Sequence, residues 1–167
     1  VGQGDSILVR EKSGTVMLFD GGSSDIKNVG EKRIYPLIKC KGIKKIDYIF
    51  ISHTDNDHIS GIMELIELSG SDLKIKNIIL PLIKNASQDE NYNNIIKKSC
   101  EKGINIKYVN TGSKFNLKND FSVTCIHPDN GYIYSDANDY SAVYILKKDD
   151  FNHLFILVCF PKSQSLL

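Results

Sequence analysis

One short segment of the sequence concentrates side chains that bind metal ions. Residues 53–58 read His-Thr-Asp-Asn-Asp-His, so two imidazoles and two carboxylates fall within six residues, on His53, Asp55, Asp57 and His58. Imidazole nitrogens and carboxylate oxygens together suit zinc, manganese or iron. No other part of the sequence clusters such groups as densely. The segment therefore predicts a divalent metal site.

Two predicted elements position this segment. Residues 46–52 are nearly continuously apolar and end at the segment, which is typical of a strand buried on both faces. After it, apolar residues recur at helical spacing as far as Gly70. Because alternate side chains of an extended stretch point the same way, we expect His53, Asp55 and Asp57 to converge and His58 to reach in from the helix start. The alternative is a polar turn with solvated charges, which the preceding apolar strand argues against.

The rest of the chain predicts a mixed α/β domain spanning residues 1–167, with helices covering sheets. Residues 6–10 and 15–20 are two strands at hairpin spacing, and residues 30–41 form a short amphipathic helix with Gly42 at its C-terminal cap. Further apolar patterns predict strands at 77–82, 104–109, 121–126, 142–146 and 154–158, and a helix at 88–102 closed by Gly103.

The overall composition excludes several classes of protein. The chain carries 21 basic and 20 acidic residues, a net charge of +1, and 41% apolar residues, which excludes a disordered chain and a strongly basic nucleic-acid-binding domain. The longest apolar run, residues 154–160, is shorter than the roughly 20 residues of a spanning helix, and no signal peptide is recognised. The four cysteines form no CxxC pair, so neither a zinc ribbon nor a dithiol site is predicted.

Lysines also cluster in two places. One group lies at Lys39, Lys41, Lys44 and Lys45, and the other at Lys97, Lys98 and Lys102. Such charge runs usually form a solvated face, which we favour over a track for phosphates. Neither group has the interleaved aromatic residues of single-strand stacking platforms.

Several landmarks together resemble one known family. The segment at 53–58 resembles the HxHxDH signature of the metallo-β-lactamase fold, and more closely the HxDxDH variant in the metallo-β-lactamase-like domain of competence-type DNA internalisation proteins. Val1-Gly2-Gln3-Gly4-Asp5 looks like the opening of that domain, and Asp20-Gly21-Gly22 like its strand-ending DxG element. Weaker similarities lie at residues 126–128 and 138–141. The resemblance implies a four-layer αββα sandwich with the metals at one edge.

The resemblance also implies roles for individual residues. One metal would use His53 and Asp55, and a second Asp57 and His58, with Asp57 also orienting the nucleophile. Zinc is the expected ion, up to two per complete domain; the carboxylate of Asp55 replaces a histidine and favours manganese as the alternative. Such a cation would lower the pKa of a bound water to about 7. Possible further metal ligands are His127, Asn138 and Asp139. The carboxylate of Asp20 is expected to hydrogen-bond the metal loop.

The sequence departs from the family pattern near its end. Relatives place a bridging carboxylate after the strand that corresponds to residues 155–158, and a final histidine beyond it. Here Cys-Phe-Pro-Lys follows, with no Asp or Glu after Asp150 and no His after His153. Resemblance is lost after about residue 158, and we expect a fold incomplete at its C-terminus, from a truncated or disrupted copy, an excised fragment or a degenerate relative. We expect weak metal binding and little unaided hydrolysis.

The predicted function is that of a metal-dependent hydrolase domain acting on phosphodiesters, in DNA uptake or processing. One alternative is a degenerate module that binds metal or a partner without catalysis, and another is a hydrolase of a small ester or lactam. Whether the chain is itself an enzyme stays open at this stage. The resemblance implies either a soluble domain of a larger membrane-associated protein, outside the cytoplasm, or a standalone cytoplasmic protein.

Overall fold

The computed structural model describes residues 1–70, 72–83, 89–118, 120–129, 137–148 and 151–155, of which 137–138 and 151–155 are described by their backbone alone. The strands are β1 (Ile7–Arg10), β2 (Val16–Phe19), β3 (Lys45–Ile46), β4 (Tyr48–Phe50), β5 (Lys74–Ile75), β6 (Asn77–Pro81), β7 (Asn105–Val109), β8 (Lys114–Asn116), β9 (Phe121–His127), β10 (Val143–Lys148) and β11 (Phe151–Phe155). The helices are α1 (Tyr35–Cys40), which continues a π-helical turn at Gly30–Ile34, α2 (Asn56–Leu68) and α3 (Glu90–Glu101), with a 3-10 turn at Ala137–Tyr140.

The strands form two main sheets. The larger has the order β1-β2-β4-β6-β7, in which β1 and β2 form an antiparallel hairpin and the remaining neighbours are parallel. The smaller is an antiparallel sheet with the order β11-β10-β9-β8. Strands β3 and β5 pair in parallel as a separate two-stranded ribbon. Because β2, β4 and β6 run in the same direction, their carboxyl ends lie at one edge of the larger sheet.

Alternation along the central strands separates two apolar cores. Leu18 and Ile49 point into an aliphatic core shared with α1, α2 and α3. Phe19 and Phe50 point to the other face of the sheet, into a core shared with the smaller sheet. Their rings stack with centroids 4.7 Å apart, and both meet Tyr144 of β10 edge-on. Burying both faces of the larger sheet in this way explains the continuous apolar runs that the sequence shows.

The predicted mixed α/β class and the face-to-face sheets are confirmed, and so are the hairpin, the three helices and the capping glycines at positions 42 and 103. In the described part of the chain, all three α-helices cover the larger sheet, so three of the four predicted layers are visible there. No helix among the described residues is long and apolar enough to cross a membrane.

Three predictions about individual strands need correction. The strand predicted at 46–52 is broken at Asp47, whose carboxylate accepts a hydrogen bond from the Val16 N–H at 3.2 Å. Strand β8 was not predicted, since Lys114-Phe115-Asn116 is short and mostly polar. The last strand begins at Phe151 rather than 154, so His153 lies on it, in register with Leu146. Residues beyond 155, including Cys159, lie outside the described residues.

Candidate metal centre

The candidate site lies at the carboxyl edge of the larger sheet. Asp20 directly follows β2, and its N–H donates to the Phe50 carbonyl at 2.9 Å, at the end of the neighbouring β4. From β4 the chain continues through Ser52 and His53 to the first turn of α2 at Asn56. Two adjacent parallel strands therefore deliver a carboxylate and a histidine loop to one place.

The loop after β2 packs closely against the start of α2. The Gly21 N–H donates to the His58 carbonyl at 2.8 Å. A Cβ on Gly22 would lie 2.4 Å from the carbonyl carbon of Asp57 and 2.5 Å from the His58 nitrogen, distances that no side chain can occupy. Only glycine permits this approach of backbone to backbone. The glycine pair after Asp20 thus fixes the position of the start of α2, and with it the positions of Asp57 and His58.

Three side chains converge at this edge. Ligand atoms of His53, Asp57 and His58 all lie within 4.8 Å of one another, and the described residues contain no other such group of His, Cys, Asp and Glu. The two imidazole centroids are 3.9 Å apart. The Nε2 atom of His58 lies 3.7 Å from Asp57 Oδ2, and that of His53 lies 3.9 Å from Asp55 Oδ2. All four residues predicted from the segment are therefore neighbours, with Asp55 at its margin.

A buried carboxylate sets the orientation of both imidazoles. Asp20, fully buried, accepts hydrogen bonds from the Ser52 N–H at 2.8 Å and the Ser52 hydroxyl at 2.6 Å. His58 Nδ1 lies 2.8 Å from the same carboxylate, which only accepts hydrogen bonds when ionised, so Nδ1 carries a proton. This leaves the Nε2 lone pair of neutral His58 available to a cation.

The hydroxyl of Ser52 also determines which ring nitrogen of His53 carries the proton. Its single proton goes to Asp20, so towards His53 Nδ1, 3.0 Å away, Ser52 Oγ acts as an acceptor. His53 therefore also carries its proton on Nδ1 and presents the lone pair of Nε2. That Nε2 atom is buried and has no hydrogen-bond partner among the described residues. An orphaned, buried imidazole lone pair beside a second one and a carboxylate fits a divalent cation such as zinc.

The two histidines differ in basicity. Burial lowers the pKa of His53, and the neighbouring His58 lowers it further. Burial also acts to lower the pKa of His58, but the hydrogen bond and the charge of Asp20 outweigh it, so that the pKa of His58 is raised. Neutral imidazole is the form that binds metal, so His53 is ready to do so at lower pH than His58.

The loop is also held from α3. Asp89, at the N-cap of α3, accepts a hydrogen bond from the Tyr92 N–H at 2.9 Å and a second from the Thr54 hydroxyl. The side-chain amide of Asn91 donates to the Thr54 carbonyl at 2.8 Å. Hydrogen bonds thus hold Thr54 at both its side chain and its backbone carbonyl. Thr54 lies between His53 and Asp55, so these bonds position the metal loop.

One feature of the predicted geometry is wrong. Asp57 was expected to belong to an extended stretch with His53 and Asp55, but it lies in the first turn of α2. The helix begins early because Asp55 takes the N-cap conformation and its carbonyl accepts the N–H groups of His58 and Ile59 at 2.9 and 3.1 Å. Asp57 therefore reaches the site from the helix, beside His58.

The three possible further ligands, His127, Asn138 and Asp139, come from later in the sequence. The Nδ1 atom of His127, at the end of β9, lies 2.8 Å from the carbonyl oxygen of Ser141. Ala142, which follows Ser141, donates its N–H to the Ser52 carbonyl at 2.7 Å. His127 is thus linked to the edge of the metal loop, although it is not in the three-residue group. Asp139 is partly exposed in the 3-10 turn, also outside that group. The side chain of Asn138 lies outside the described residues.

Sequence reasoning missed two residues of the site. Ser52 was predicted only as the end of a strand, and Asp5 only as part of the opening segment that resembles the family, with no role of its own. Yet Ser52 joins Asp20 to His53, and Asp5 Oδ2 lies 3.8 Å from His58 Nε2. A hydroxyl directly before the first histidine was the available signal for Ser52; the approach of Asp5, across 53 residues of sequence, had no signal in the residues alone.

The chain was compared with known protein families. Residues 1–95 match the model of the metallo-beta-lactamase superfamily, which is more than half of the chain. The chain belongs to this superfamily.

Known proteins resemble the chain over most of its length. It is 27% identical over 131 residues to ComE operon protein 3 of Bacillus subtilis, an alignment that covers 71% of this chain but 16% of that protein. Among solved structures, Zn(2+)-bound PqqB from Methylobacterium extorquens is 12% identical with a TM-score of 0.51, over 86% of this chain and 49% of that one. A putative diflavin flavoprotein fragment from Nostoc sp. PCC 7120 is 14% identical with a TM-score of 0.53, over 86% and 48%. These structural likenesses show the shared fold, and the chain spans about half the length of each solved relative.

Proposed function

We propose that this chain is a metal-dependent hydrolase domain of the metallo-beta-lactamase superfamily that acts on phosphodiesters, in the uptake or processing of DNA. The observation that carries the proposal is the pair of imidazole Nε2 atoms, oriented by Asp20 and Ser52, beside Asp57. Zinc is the expected ion and manganese the alternative, with His53, Asp55, Asp57 and His58 as the residues that would hold it. When bound, the ion would acidify water and neutralise charge on a phosphoryl oxygen.

The residues of the chain contribute three things to this chemistry. Asp20 and Ser52 keep a proton on Nδ1 of each histidine, so that both Nε2 atoms stay free for the ion. Asp57, about a third exposed at the first turn of α2, accepts a proton or a hydrogen bond from an attacking water. The N-terminus of α2 stabilises negative charge on that carboxylate.

The choice of a phosphodiester rests on likeness rather than on geometry. The HxDxDH segment and the opening VGQGD resemble the domain of competence-type DNA internalisation proteins, and ComE operon protein 3 is similar over 131 residues. Two other functions would use the same fold: a module that binds metal or a partner without catalysis, and a hydrolase of a small ester or lactam. His127, Asp139 and Asn138 are the nearest candidates for further ligands.

The test combines metal titration with substrates. Calorimetry with zinc and with manganese should show binding that the Asp57→Asn variant weakens at least about tenfold, because one ligand charge is lost. The matched control is Asp72→Asn, an exposed aspartate that pairs with Lys39. Cleavage of a fluorescent single-stranded DNA should be slow, metal-dependent and absent in Asp57→Asn.

Each alternative has its own result. Binding of two metals per chain supports the hydrolase, whereas one or none, without turnover of any substrate, supports the binding module. Cleavage of a nitrophenyl ester or a chromogenic lactam in the absence of DNA cleavage would replace the phosphodiester with the smaller substrate. Rapid cleavage by the wild-type chain, lost in Asp57→Asn, would contradict the expected low activity but support the chemistry.

A further inference from the structure

A cluster of lysines lies at the edge of the larger sheet opposite the metal loop. Strands β3 and β5 immediately precede β4 and β6, so their ribbon lies where those parallel strands begin. Its exposed lysines are Lys44, Lys45, Lys74 and Lys76, which we call the lysine ribbon. Lys45 and Lys74 are direct partners across the two strands, and the Lys74 N–H donates to the Lys44 carbonyl at 2.9 Å. Backbone pairing thus brings four exposed lysines together on one short segment of the surface.

Two hollows flank the lysine ribbon and extend its charge. One, of about 480 Å³, is lined by three lysines and one aspartate, by hydroxyl and amide groups, and by the half-buried ring of Tyr48. The charged residues are Lys45, Lys76, Lys118 and Asp47, and the hydroxyl and amide groups belong to Ser13, Thr15 and Asn116. The other, of about 470 Å³, is lined by Lys39, Lys44 and Lys74 together with Asp72. Six lysines and two aspartates therefore line the two hollows, so that positive charge predominates on this surface.

Little on the protein neutralises this surface. Lys45 pairs with Asp47 at 2.8 Å, and Lys39 pairs with Asp72 at 3.1 Å. Within the described ranges, Lys44, Lys74, Lys76 and Lys118 make no ion pair. A chain with a net charge of only +1 thus gathers about four uncompensated positive charges at one edge. Like charges held this close repel one another, and a polyanion that shares them relieves that repulsion.

We propose that the lysine ribbon and its two hollows bind the phosphate backbone of single-stranded nucleic acid, apart from the metal loop. The choice of nucleic acid among polyanions rests on the proposed phosphodiester function. Two local features favour it over an anionic membrane. The larger hollow offers an aromatic ring, hydroxyls and an amide, which suit nucleotides. Among the described residues, the large aliphatic side chains that line the hollows are half-buried Leu117 and buried Ile43, so neither hollow presents the fully exposed aliphatic side chain that membrane-surface elements insert.

The test measures binding without chemistry. A fluorescein-labelled single-stranded oligonucleotide is titrated, by anisotropy in EDTA, against Asp57→Asn protein over a series of salt concentrations. In this background the double variant Lys74→Gln/Lys76→Gln should bind about tenfold more weakly at low salt. The slope of log affinity against log salt should fall by about 1.4, since each phosphate contact on a single strand contributes roughly 0.7. Because metal and turnover are removed, failure of the proposed hydrolase does not affect this result.

The matched control removes the same charge elsewhere. Lys32→Gln/Lys97→Gln takes two exposed helical lysines from other faces and should change neither affinity nor slope. Equal binding by both double variants would overturn the proposal, as would binding that is lost when Asp57 alone is changed. Vesicles rich in phosphatidylserine provide the remaining arm. If the ribbon variant loses vesicle binding but keeps oligonucleotide binding, the surface faces a membrane and the proposal is wrong.

Discussion

The two edges of the larger sheet carry charge in opposite ways. At the carboxyl edge, Asp20 is fully buried and every nearby proton has a defined position, from Ser52 to the two imidazoles. At the other edge, the lysine ribbon is exposed, and the side chain of Lys45 is 50% accessible even in its ion pair. The first edge depends on the geometry of single atoms, and the second on the density of charge. Substitutions at the two edges should therefore have effects of very different size.

The largest difference is expected between two glycines. Gly22→Ala places a methyl group 2.4 Å from the Asp57 backbone, so it should lower the free energy of unfolding by about 3 kcal/mol and displace the start of α2. Gly42→Ala, beside the lysine edge, meets open space and only the cost of a positive φ, about 1 kcal/mol. Urea denaturation of both variants measures the contrast. Equal losses would show that the metal edge is less tightly packed than the structure indicates.

Asp20→Asn should separate orientation from packing. The amide is the same size, but its NH2 group cannot accept a hydrogen bond from the Nδ1–H of His58, so His58 loses the tautomer that frees Nε2. Zinc affinity, measured by competition with a chromophoric chelator, should fall about 10- to 100-fold. Asp47→Asn, at the other edge, is the control and should leave zinc affinity unchanged. A fall in both variants would point to a general loss of stability.

The same substitution should have a stability cost that depends on pH in the metal-free protein. Asp20 raises the pKa of His58 in the folded state, so the pairing stabilises the fold below the unfolded pKa of about 6.5 and is lost as the pH rises through the folded pKa. The difference in unfolding free energy between wild type and Asp20→Asn should thus be larger near pH 5.5 than near pH 8.5. Thermal unfolding in EDTA measures it, and a difference independent of pH would contradict the raised pKa.

The smallest effect is expected on the lysine ribbon itself. Lys74→Glu replaces a repulsive partner of Lys45 by an attractive one, so it should stabilise the protein by about 0.5 kcal/mol at low salt. Lys114→Glu, on β8 opposite Thr124, is the matched strand control without a charged partner. The gain should disappear at high salt because exposed charges are screened. Destabilisation by Lys74→Glu would show that the four ammonium groups do not repel one another appreciably.

The sequence was most informative where the chain is locally determined. Strand β4 and helix α2 follow from hydrophobic spacing over a few residues. The gathering of His53, Asp57 and His58 was predicted from their closeness in sequence, although Asp57 reaches the site from the helix and not from an extended stretch. What could not be predicted depends on contacts between distant segments. That Asp20 would hydrogen-bond the metal loop was predicted, but its particular partner Ser52, 32 residues away, was not, and the early start of α2 depends on how the Asp55 carbonyl is used. Neither leaves a pattern in the local sequence.

The lysine ribbon also could not be predicted from the local sequence. Lys39, Lys41, Lys44 and Lys45 were visible as a run and were interpreted as a solvated face. Lys74 and Lys76 lie some 30 residues further on, and only the pairing of β3 with β5 brings them beside Lys44 and Lys45. A surface assembled from two segments has a charge density that neither segment shows alone.

Asp89 serves two elements at once, because one oxygen caps α3 through the Tyr92 N–H while the other holds the Thr54 hydroxyl. Fraying of the first turn of α3 therefore frees the loop of His53, and disorder in the loop removes one support of the helix end. We therefore expect the two segments, more than 30 residues apart in sequence, to unfold together. Amide hydrogen exchange at Tyr92 should consequently slow when a cation immobilises the loop.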